Sequence, residues 1–307
     1  MTGGAGFIAS HIVDAYINSG HRVIVMDNLS SGRSSFVNKK AIFYKVDIRD
    51  KEAVEKIINK EKPEVINHHA AQISVRISTE DPILDAEVNI LGLLNLLEAG
   101  RRVKVKKVIF ASSGGVVYGE ATQLPTPENY HPLLPLSPYG VAKLASEYYL
   151  NFYHHIYKIP YVALRYSNVY GPRQNPHGEA GVVAIFTEKL LSKQIPTING
   201  DGRQTRDYIY VEDVVRANEK ALETKLTGSF NIGTGIETNV IDLYKRLQMI
   251  TGVQIVANYG PARTGEQRRS CLAASLAKRV LHWEAKTSLT SGLQKTVDYF
   301  KNPWKKS

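Results

Sequence analysis

Thr2-Gly3-Gly4-Ala5-Gly6-Phe7-Ile8-Ala9 is the stretch that decides the fold of this chain. Glycines three apart let the backbone pass close to a pyrophosphate, and Ala9 stands where the pattern tolerates a replacement for its third glycine. Downstream, Ile8, Ile12, Ala15 and Tyr16 recur at helical spacing until Gly20 stops the helix. A helix opening straight out of such a loop offers unpaired N–H groups to an anion. Next comes His21-Arg-Val-Ile-Val-Met-Asp27, a short apolar run ending in an acid, which reads as a buried parallel strand. Asp27 lies twenty-one positions after Gly6. A carboxylate there accepts hydrogen bonds from a ribose 2′-OH and repels a 2′-phosphate, which favours NAD over NADP.

The same texture continues. Residues 41–47 read as a strand, 52–59 as a helix, 65–66 as a strand, 83–99 as a long helix and 107–112 as a strand. Strands alternating with helices predict an α/β fold with a doubly wound parallel sheet of the Rossmann type. A glycine loop of this kind follows a strand, and Met1 stands where that strand would end. The missing strand would be central, so its neighbours would lose ladder hydrogen bonds on one side. The expectation is that the native start lies several residues upstream, with Met1 an internal codon read as a start.

Beyond about Asn168, loops rich in Gly and Pro such as Gly171-Pro-Arg-Gln-Asn-Pro-His-Gly178 and Asn199-Gly-Asp-Gly202 separate shorter elements. With 307 residues, about two domains are expected: 1–168 as an NAD-binding domain and 169–307 as a mainly substrate-binding domain. Segments such as Phe230-Asn-Ile-Gly233 would return to the main sheet.

Hydrophobic content of 43% and charged content of 22% are those of a soluble globular protein. No apolar run approaches the roughly 20 residues that cross a bilayer, and the glycine loop begins too early to leave room for a signal peptide. A single cysteine, Cys271, fits a reducing cytoplasm and reads as a small core or loop residue. The net charge of +10 is spread along the chain, with only short clusters such as Arg101, Arg102, Lys104, Lys106 and Lys107. No basic stripe is interleaved with aromatics, so the charge reads as a solvated surface, with neither nucleic acid nor membrane as partner.

Tyr139-Gly-Val-Ala-Lys143 sets a tyrosine and a lysine four apart at the start of a helix, on one face. Lys143 can hold a cofactor ribose, and its charge favours the tyrosinate of Tyr139, whose ordinary pKa of about 10 makes it a poor base unaided. Upstream, Ser112-Ser113-Gly114-Gly115 follows a strand directly. A serine hydroxyl at a strand's carboxyl end can pass a proton between a sugar hydroxyl and Tyr139. His68-His69 and His154-His155 lack a third ligand at metal spacing, so no metal is expected.

These motifs together resemble the extended short-chain dehydrogenases, and within them the UDP-glucose 4-epimerases. The resemblance runs over essentially the whole chain. Its further carriers are Asp27-Asn28-Leu-Ser-Ser31-Gly32, Ala70-Ala71-Gln72, Leu164-Arg-Tyr166-Ser-Asn168-Val-Tyr-Gly-Pro-Arg173, Gly178-Glu-Ala-Gly-Val182, Arg206-Asp-Tyr208 and Arg263-Thr-Gly-Glu266. It implies that Tyr139 takes the proton of a sugar 4′-OH while hydride passes from C4′ to NAD, giving a 4-keto sugar that turns over before hydride returns. By position it implies that Gly3, Gly6, Phe7, Ile8, Asp27, Asn28, Ser31, Gly32, Asp47, Ile48, Ala70, Ala71, Gln72, Asn89, Tyr139, Lys143 and Tyr166 contact NAD. Ser113, Asn168, Val182, Arg206, Arg263 and Glu266 would hold the UDP-sugar.

Many epimerases carry their catalytic hydroxyl four residues before the tyrosine of Val-Tyr-Gly, which here is Gly114; relatives with a Gly-Gly pair use the Ser113 position. A small residue at Ser270, the position that resembles the family's gate for N-acetylated sugars, implies room for these as well. The related 4,6-dehydratases carry an Asp-Glu pair in the 112–117 window and the decarboxylases a Glu, whereas this window holds no carboxylate. A UDP-glucuronate 4-epimerase stays open, with Arg76 or Arg173 as a partner for the extra carboxylate. A non-catalytic dinucleotide-binding or RNA-associated protein is disfavoured by the intact Tyr139 and Lys143. Relatives suggest a homodimer through helices 83–99 and 139–157.

Overall fold

The computed structural model describes residues 1–177, 181–262 and 267–301. Gly6, in extended backbone, caps α1 (Phe7–Asn18), whose Ala9, Ile12, Val13 and Tyr16 face inward. Gly20 ends the turn after it at φ +86°, a conformation that glycine adopts without steric cost. There follow β1 (Ile24–Asp27), β2 (Ile42–Lys45), α2 (Lys51–Glu61), β3 (Val65–His68), α3 (Val75–Glu80), α4 (Pro82–Ala86), α5 (Gly92–Arg102), β4 (Lys107–Ser113), the single turn α6 (Gly114–Val117), α7 (Pro138–Tyr157) and β5 (Tyr161–Tyr166). Side-chain caps fix the starts of two key helices. Asp50 accepts from the Ala53 amide ahead of α2, and Ser137 from the Gly140 amide ahead of α7, with Pro138 in the first turn.

Residues 83–99 do not form one regular helix. Between α4 and α5 the backbone opens into a π turn over Glu87–Leu91. Asn89 sits at its centre and is fully engaged: its Nδ2 donates to the Gln72 carbonyl and to Asp85, and its Oδ1 accepts from the Gln72 amide. At the next turn, a side chain on Gly92 would meet Ile48 at 2.5 Å. The extra residue lets the helix bend past the 70–72 loop, a common use of a π turn near a functional site.

The second half supplies β6 (Asn168–Tyr170), α8 (Val182–Leu191), β7 (Thr197–Asn199), β8 (Thr205–Tyr210), α9 (Val211–Glu223), β9 (Gly228–Ile232), β10 (Glu237–Asn239), α10 (Val240–Thr251), β11 (Asn258–Gly260), α11 (Ser275–Val280) and α12 (Leu289–Lys301). The main sheet runs β2-β1 and β3-β4-β5-β9, with every pair parallel. Its two pieces meet at Thr2, which bridges to Met26 on one side and His68 on the other. Ladder bonds run from Met26 N to Met1 O and from Thr2 N to Asn67 O, at 2.9 and 3.0 Å. Met1 and Thr2 therefore join the sheet between β1 and β3, at its carboxyl end.

One face of this sheet is covered by α2, α5 and α7 around Ile57, Leu93, Leu96, Phe110 and Leu150. On the other face α1 and α9 pack side by side. A second core, built from Tyr170, Phe186, Tyr210, Leu243 and Leu293, joins the β10-β8-β6 sheet to α8, α10 and α12. Each such buried side chain contributes roughly 1.5–3 kcal/mol. Among the described residues no helix is long and apolar enough to cross a membrane.

Candidate active site

A cavity of about 400 Å³ opens at the carboxyl ends of the main sheet's strands, where α/β sheets place their ligands. The glycine loop forms its floor. Gly3 has φ +68°, and a Cβ there would stand 2.6 Å from the Ala70 amide nitrogen, so only glycine allows the two loops to touch. No side chain caps α1 and its first turn holds no acid. The amides of that turn are therefore free for an anion.

Asp27 closes one side, with Oδ2 accepting from the Ala5 amide at 3.0 Å and Oδ1 from the Leu29 amide at 2.8 Å. A carboxylate keeps further lone pairs beyond these two bonds. Asp47 stands beside it, accepting from Asn28, from the Arg49 amide and, twice, from the Arg49 guanidinium. The Arg49 guanidinium pulls its carboxyl down to about 2. Two buried polar atoms of the lining, Ser167 Oγ and Gln174 Oε1, lack a partner within the protein. An anion-binding helix end, an acid placed for a ribose and orphaned polar atoms in one cavity fit a dinucleotide.

At the far end stand Tyr139, Lys143 and Ser113. Burial raises Tyr139 above the ordinary phenol range and the Asp85 anion adds to this, while a hydrogen bond with Ser113 works the other way. Lys143 lies on the same helical face, with Nζ donating to the Ala111 carbonyl at 2.8 Å and standing 5.7 Å from the centre of the Tyr139 ring. Burial pulls its pKa down to about 8, against the pull of Asp85 and Glu147. The sequence leads one to expect a tyrosinate favoured by Lys143; in this cavity desolvation dominates, and Tyr139 holds its proton.

Side-chain alternation along β4 separates the two serines. Ser113 faces the cavity, whereas Ser112 turns back and donates to Glu147 Oε1 at 2.5 Å. Glu147, one turn beyond Lys143, also accepts from Ser229 and pairs with Arg165 at 2.7 Å, both partners being almost fully buried. Arg165 in turn donates to Tyr118, and Tyr118 to Asn231. This chain of hydrogen bonds ties α7 to β4, β5 and β9 one turn beyond Lys143. No sequence motif marks it: Glu147 reads as one more helix polar residue and Arg165 as an intruder in an apolar strand. Gly114 has no hydroxyl to offer, and a Cβ there would require the Leu272 side chain to shift.

Gly3, Gly6, Phe7, Ile8, Asp27, Asn28, Ser31, Asp47, Ile48, Ala70, Ala71, Tyr166 and Asn168 all line the cavity with Tyr139, Lys143 and Ser113. Others stand one layer back. Gly32 packs on Ala5, where a Cβ would come within 2.9 Å. Gln72 and Asn89 bond to each other and to Asp85 instead of facing the cavity. Val182 opens α8 and Arg206 lies on β8, donating to the Thr205 carbonyl; neither belongs to the lining. Arg263 and Glu266 lie outside the described residues.

Arg76 pairs with Glu80 and Arg173 with Asp14, both away from the lining. The sequence passes over His69, whose Nε2 lies 3.0 Å from the Tyr166 hydroxyl and whose pKa burial lowers to about 3, leaving it neutral. Cys271 is buried and its thiol is pushed up to about 12, mainly by burial. Among the described residues no three His, Cys, Asp or Glu side chains are grouped to hold a metal ion.

Comparison with known proteins agrees with this geometry. Residues 1–233 match the NAD dependent epimerase/dehydratase family. The chain is 48% identical over 302 residues to a putative UDP-glucose 4-epimerase of Methanocaldococcus jannaschii, with 98% of each covered. It superposes with a TM-score of 0.97 on a UDP-glucose 4-epimerase from Thermotoga maritima solved with UDP-glucose, at 51% identity over 99% of this chain and 98% of that one. The Thermus thermophilus UDP-glucose 4-epimerase, solved with NAD, gives 0.93 at 44% identity over 98% and 97%.

The buried Lys143 sets a pH test. Its folded pKa of about 8 lies below its ordinary 10.5. Below about pH 8 both folded and unfolded chains carry the charge, and the folded one bears its burial. Between about 8 and 10.5 the folded chain sheds the proton first, so this lysine's cost fades as pH rises. Lys143→Met is expected to stabilise the chain at pH 7 by up to about 3 kcal/mol, less the loss of the Ala111 bond. Denaturant titrations at pH 7 and 10.5 should show that gain at the lower pH only.

Proposed function

The chain belongs to the NAD dependent epimerase/dehydratase family, and from that premise we propose that it interconverts UDP-galactose and UDP-glucose through a 4-keto sugar. One observation carries the reading. The Tyr139 phenol is hydrogen-bonded to Ser113 and stands one helical turn before a buried lysine, at the end of the cavity away from an uncapped helix N-terminus. The 114–117 turn beside it holds no carboxylate. Elimination or decarboxylation at neighbouring sugar carbons would need one; moving a hydride off C4′ and back needs only a base at the 4′-oxygen.

In this reading NAD, when bound, supplies a hydride acceptor and a fixed positive charge beside the phenol. Everything else is done by the chain. The first turn of α1, with Gly3 and Gly6, holds the pyrophosphate, and Asp27 takes the adenosine ribose. Asp47 and Ile48 border the adenine end. Lys143 holds the nicotinamide ribose and Tyr166 backs that end of the cavity. Tyr139 takes the 4′-OH proton and returns it, with Ser113 relaying. Residues 1–168 then carry the cofactor. Residues 169–307 close over the UDP-sugar through Val182, Arg206, Arg263 and Glu266, the arginines pairing with diphosphate oxygens, while Asn168 meets it from the join. The small Ser270 supports acceptance of N-acetylated sugars too. Arg76 and Arg173 are held by Glu80 and Asp14, which disfavours a sugar carboxylate as their partner.

The outer face of α7 supports a homodimer. Val141, Tyr148, Tyr149, Phe152 and Ile156 fall on one side of the helix and are exposed, opposite the face that carries Lys143 and Glu147. Ile83 and Leu91, on the neighbouring α4 and the π turn, are exposed as well. A stripe of this size needs a partner, and a second copy offers an identical one.

Purified chain supplied with NAD is expected to turn UDP-galactose into UDP-glucose. Tyr139→Phe should lower kcat by about 10²–10⁴ with NAD still bound. No turnover by NAD-loaded chain would contradict the reading. Sedimentation should give twice the chain mass of 34.2 kDa, and Phe152→Glu with Ile156→Glu should bring it to a monomer.

A further inference from the structure

Four groups that carry charge lie buried around the Tyr139 end of the cavity, and only two of them meet directly. Glu147 and Arg165 form an ion pair at 2.7 Å. Lys143 Nζ is held instead by the Ala111 carbonyl at 2.8 Å and stands 4.7 Å from the centre of the Phe110 ring. Asp85, 1% exposed, sits on α4, which packs against α7. Its Oδ1 accepts from Gln72 Nε2 at 2.8 Å and from Asn89 Nδ2 at 2.9 Å. The π turn that carries Asn89 is itself tied to α7, because Ser146 Oγ donates to the Asn89 carbonyl. The Asp85 carboxylate is thereby fixed one layer behind the lining, within electrostatic reach of both Tyr139 and Lys143.

Buried charges are stable only when they are matched. Among the described residues Lys143 is the cation that acts on Asp85, and the two hydrogen bonds add to its pull against burial. The other charges around α4 are answered elsewhere. On α3, Arg76 pairs with Glu80. On the π turn, Glu87 lies 3.7 Å from Arg49. Burial keeps His68 and His69, in the strand end and loop nearby, neutral. From α7 come Tyr139, Lys143 and the Glu147 already held by Arg165. Without cofactor the site is therefore balanced, Lys143 against Asp85 and Arg165 against Glu147. The positive charge of an oxidised nicotinamide ring enters unmatched, and the Tyr139 phenol can answer it by giving up its proton.

We propose that Asp85 is a positioning residue for the reaction: its carboxylate is the counter-charge of Lys143, and it holds the proton on Tyr139 until the cofactor's charge is in place. The proposal rests on the reading of Tyr139 and Lys143 as the acid–base pair. Taking the Asp85 charge away leaves Lys143 unmatched, and the sign of each consequence is fixed. The tyrosinate loses a repelling neighbour and forms at lower pH. The ammonium loses an attracting one and gives up its proton at lower pH. The two groups titrate as a coupled pair, so both limbs of a bell-shaped rate profile move down together.

Asp85→Asn tests this, because its side-chain oxygen can still accept from Gln72 and Asn89 while the charge is gone. Tyr139 is titrated in the NAD-loaded chain through the ultraviolet absorbance of tyrosinate, with the matching Tyr139→Phe chain subtracted. The midpoint is expected to fall by about one pH unit. Both limbs of the kcat profile for UDP-galactose should fall with it, with KM little changed. Asp85→Ser, neutral but too short to meet both amides, should give the same shift, whereas Asp85→Glu, which keeps the charge, should leave the midpoint near that of the unaltered chain. An unmoved midpoint in the two neutral variants would overturn the proposal, as would a shift that Asp85→Glu shares or a kcat loss equal at every pH. Should no variant turn over UDP-galactose, the absorbance titration still decides: a lowered midpoint keeps the role of Asp85, and only the epimerase reading falls.

Discussion

Thr2 carries the constraint on which the rest depends. Its backbone joins the two pieces of the main sheet, and its buried hydroxyl accepts from the Ala70 and His69 amides at 3.1 and 3.2 Å and lies 2.7 Å from His68 Nδ1. One residue thereby sets both the height of the glycine loop and the course of the 69–71 loop. Gly3 must follow, because the Ala70 backbone occupies the space of its side chain. With the loops locked, α1 aims its first turn into the cavity, and His69 is held against Tyr166.

At the other end, chemistry is set by what is buried with it. Tyr139 and Lys143 line the cavity and Asp85 lies one layer back with Gln72 and Asn89, and burial displaces each toward its neutral form: the phenol and the Asp85 carboxyl upward, the ammonium downward. Desolvation of this kind keeps Tyr139 protonated until further positive charge arrives. Glu147 and Arg165 make the arrangement rigid, and removing one partner of such a buried pair costs about 3–5 kcal/mol because the other charge stays behind.

Much of this is legible in the chain itself. Loop, helix, strand and Asp27 follow one another at spacings fixed by cofactor dimensions, and Tyr139 and Lys143 by one helical turn. The doubly wound sheet follows from the alternation of elements. Illegible were features set by long-range contacts. The π turn around Asn89 depends on the 70–72 loop, which no local pattern encodes. The resemblance pointed to Ser113, but that Ser112 turns away to Glu147 depends on where β4 ends. The Glu147–Arg165 pair joins residues from a helix and a strand with no common motif. In the second half, three-residue strands such as β6, β7 and β10 are too short to show a period.

Hydride leaving C4′ and returning to it is the step that distinguishes this chemistry most directly. UDP-galactose carrying deuterium at C4′ should give UDP-glucose that keeps the label at C4′ when the purified chain is incubated in ordinary water. Loss of the label to solvent at a rate matching conversion would mean that a proton, not a hydride, is removed, and would contradict the account.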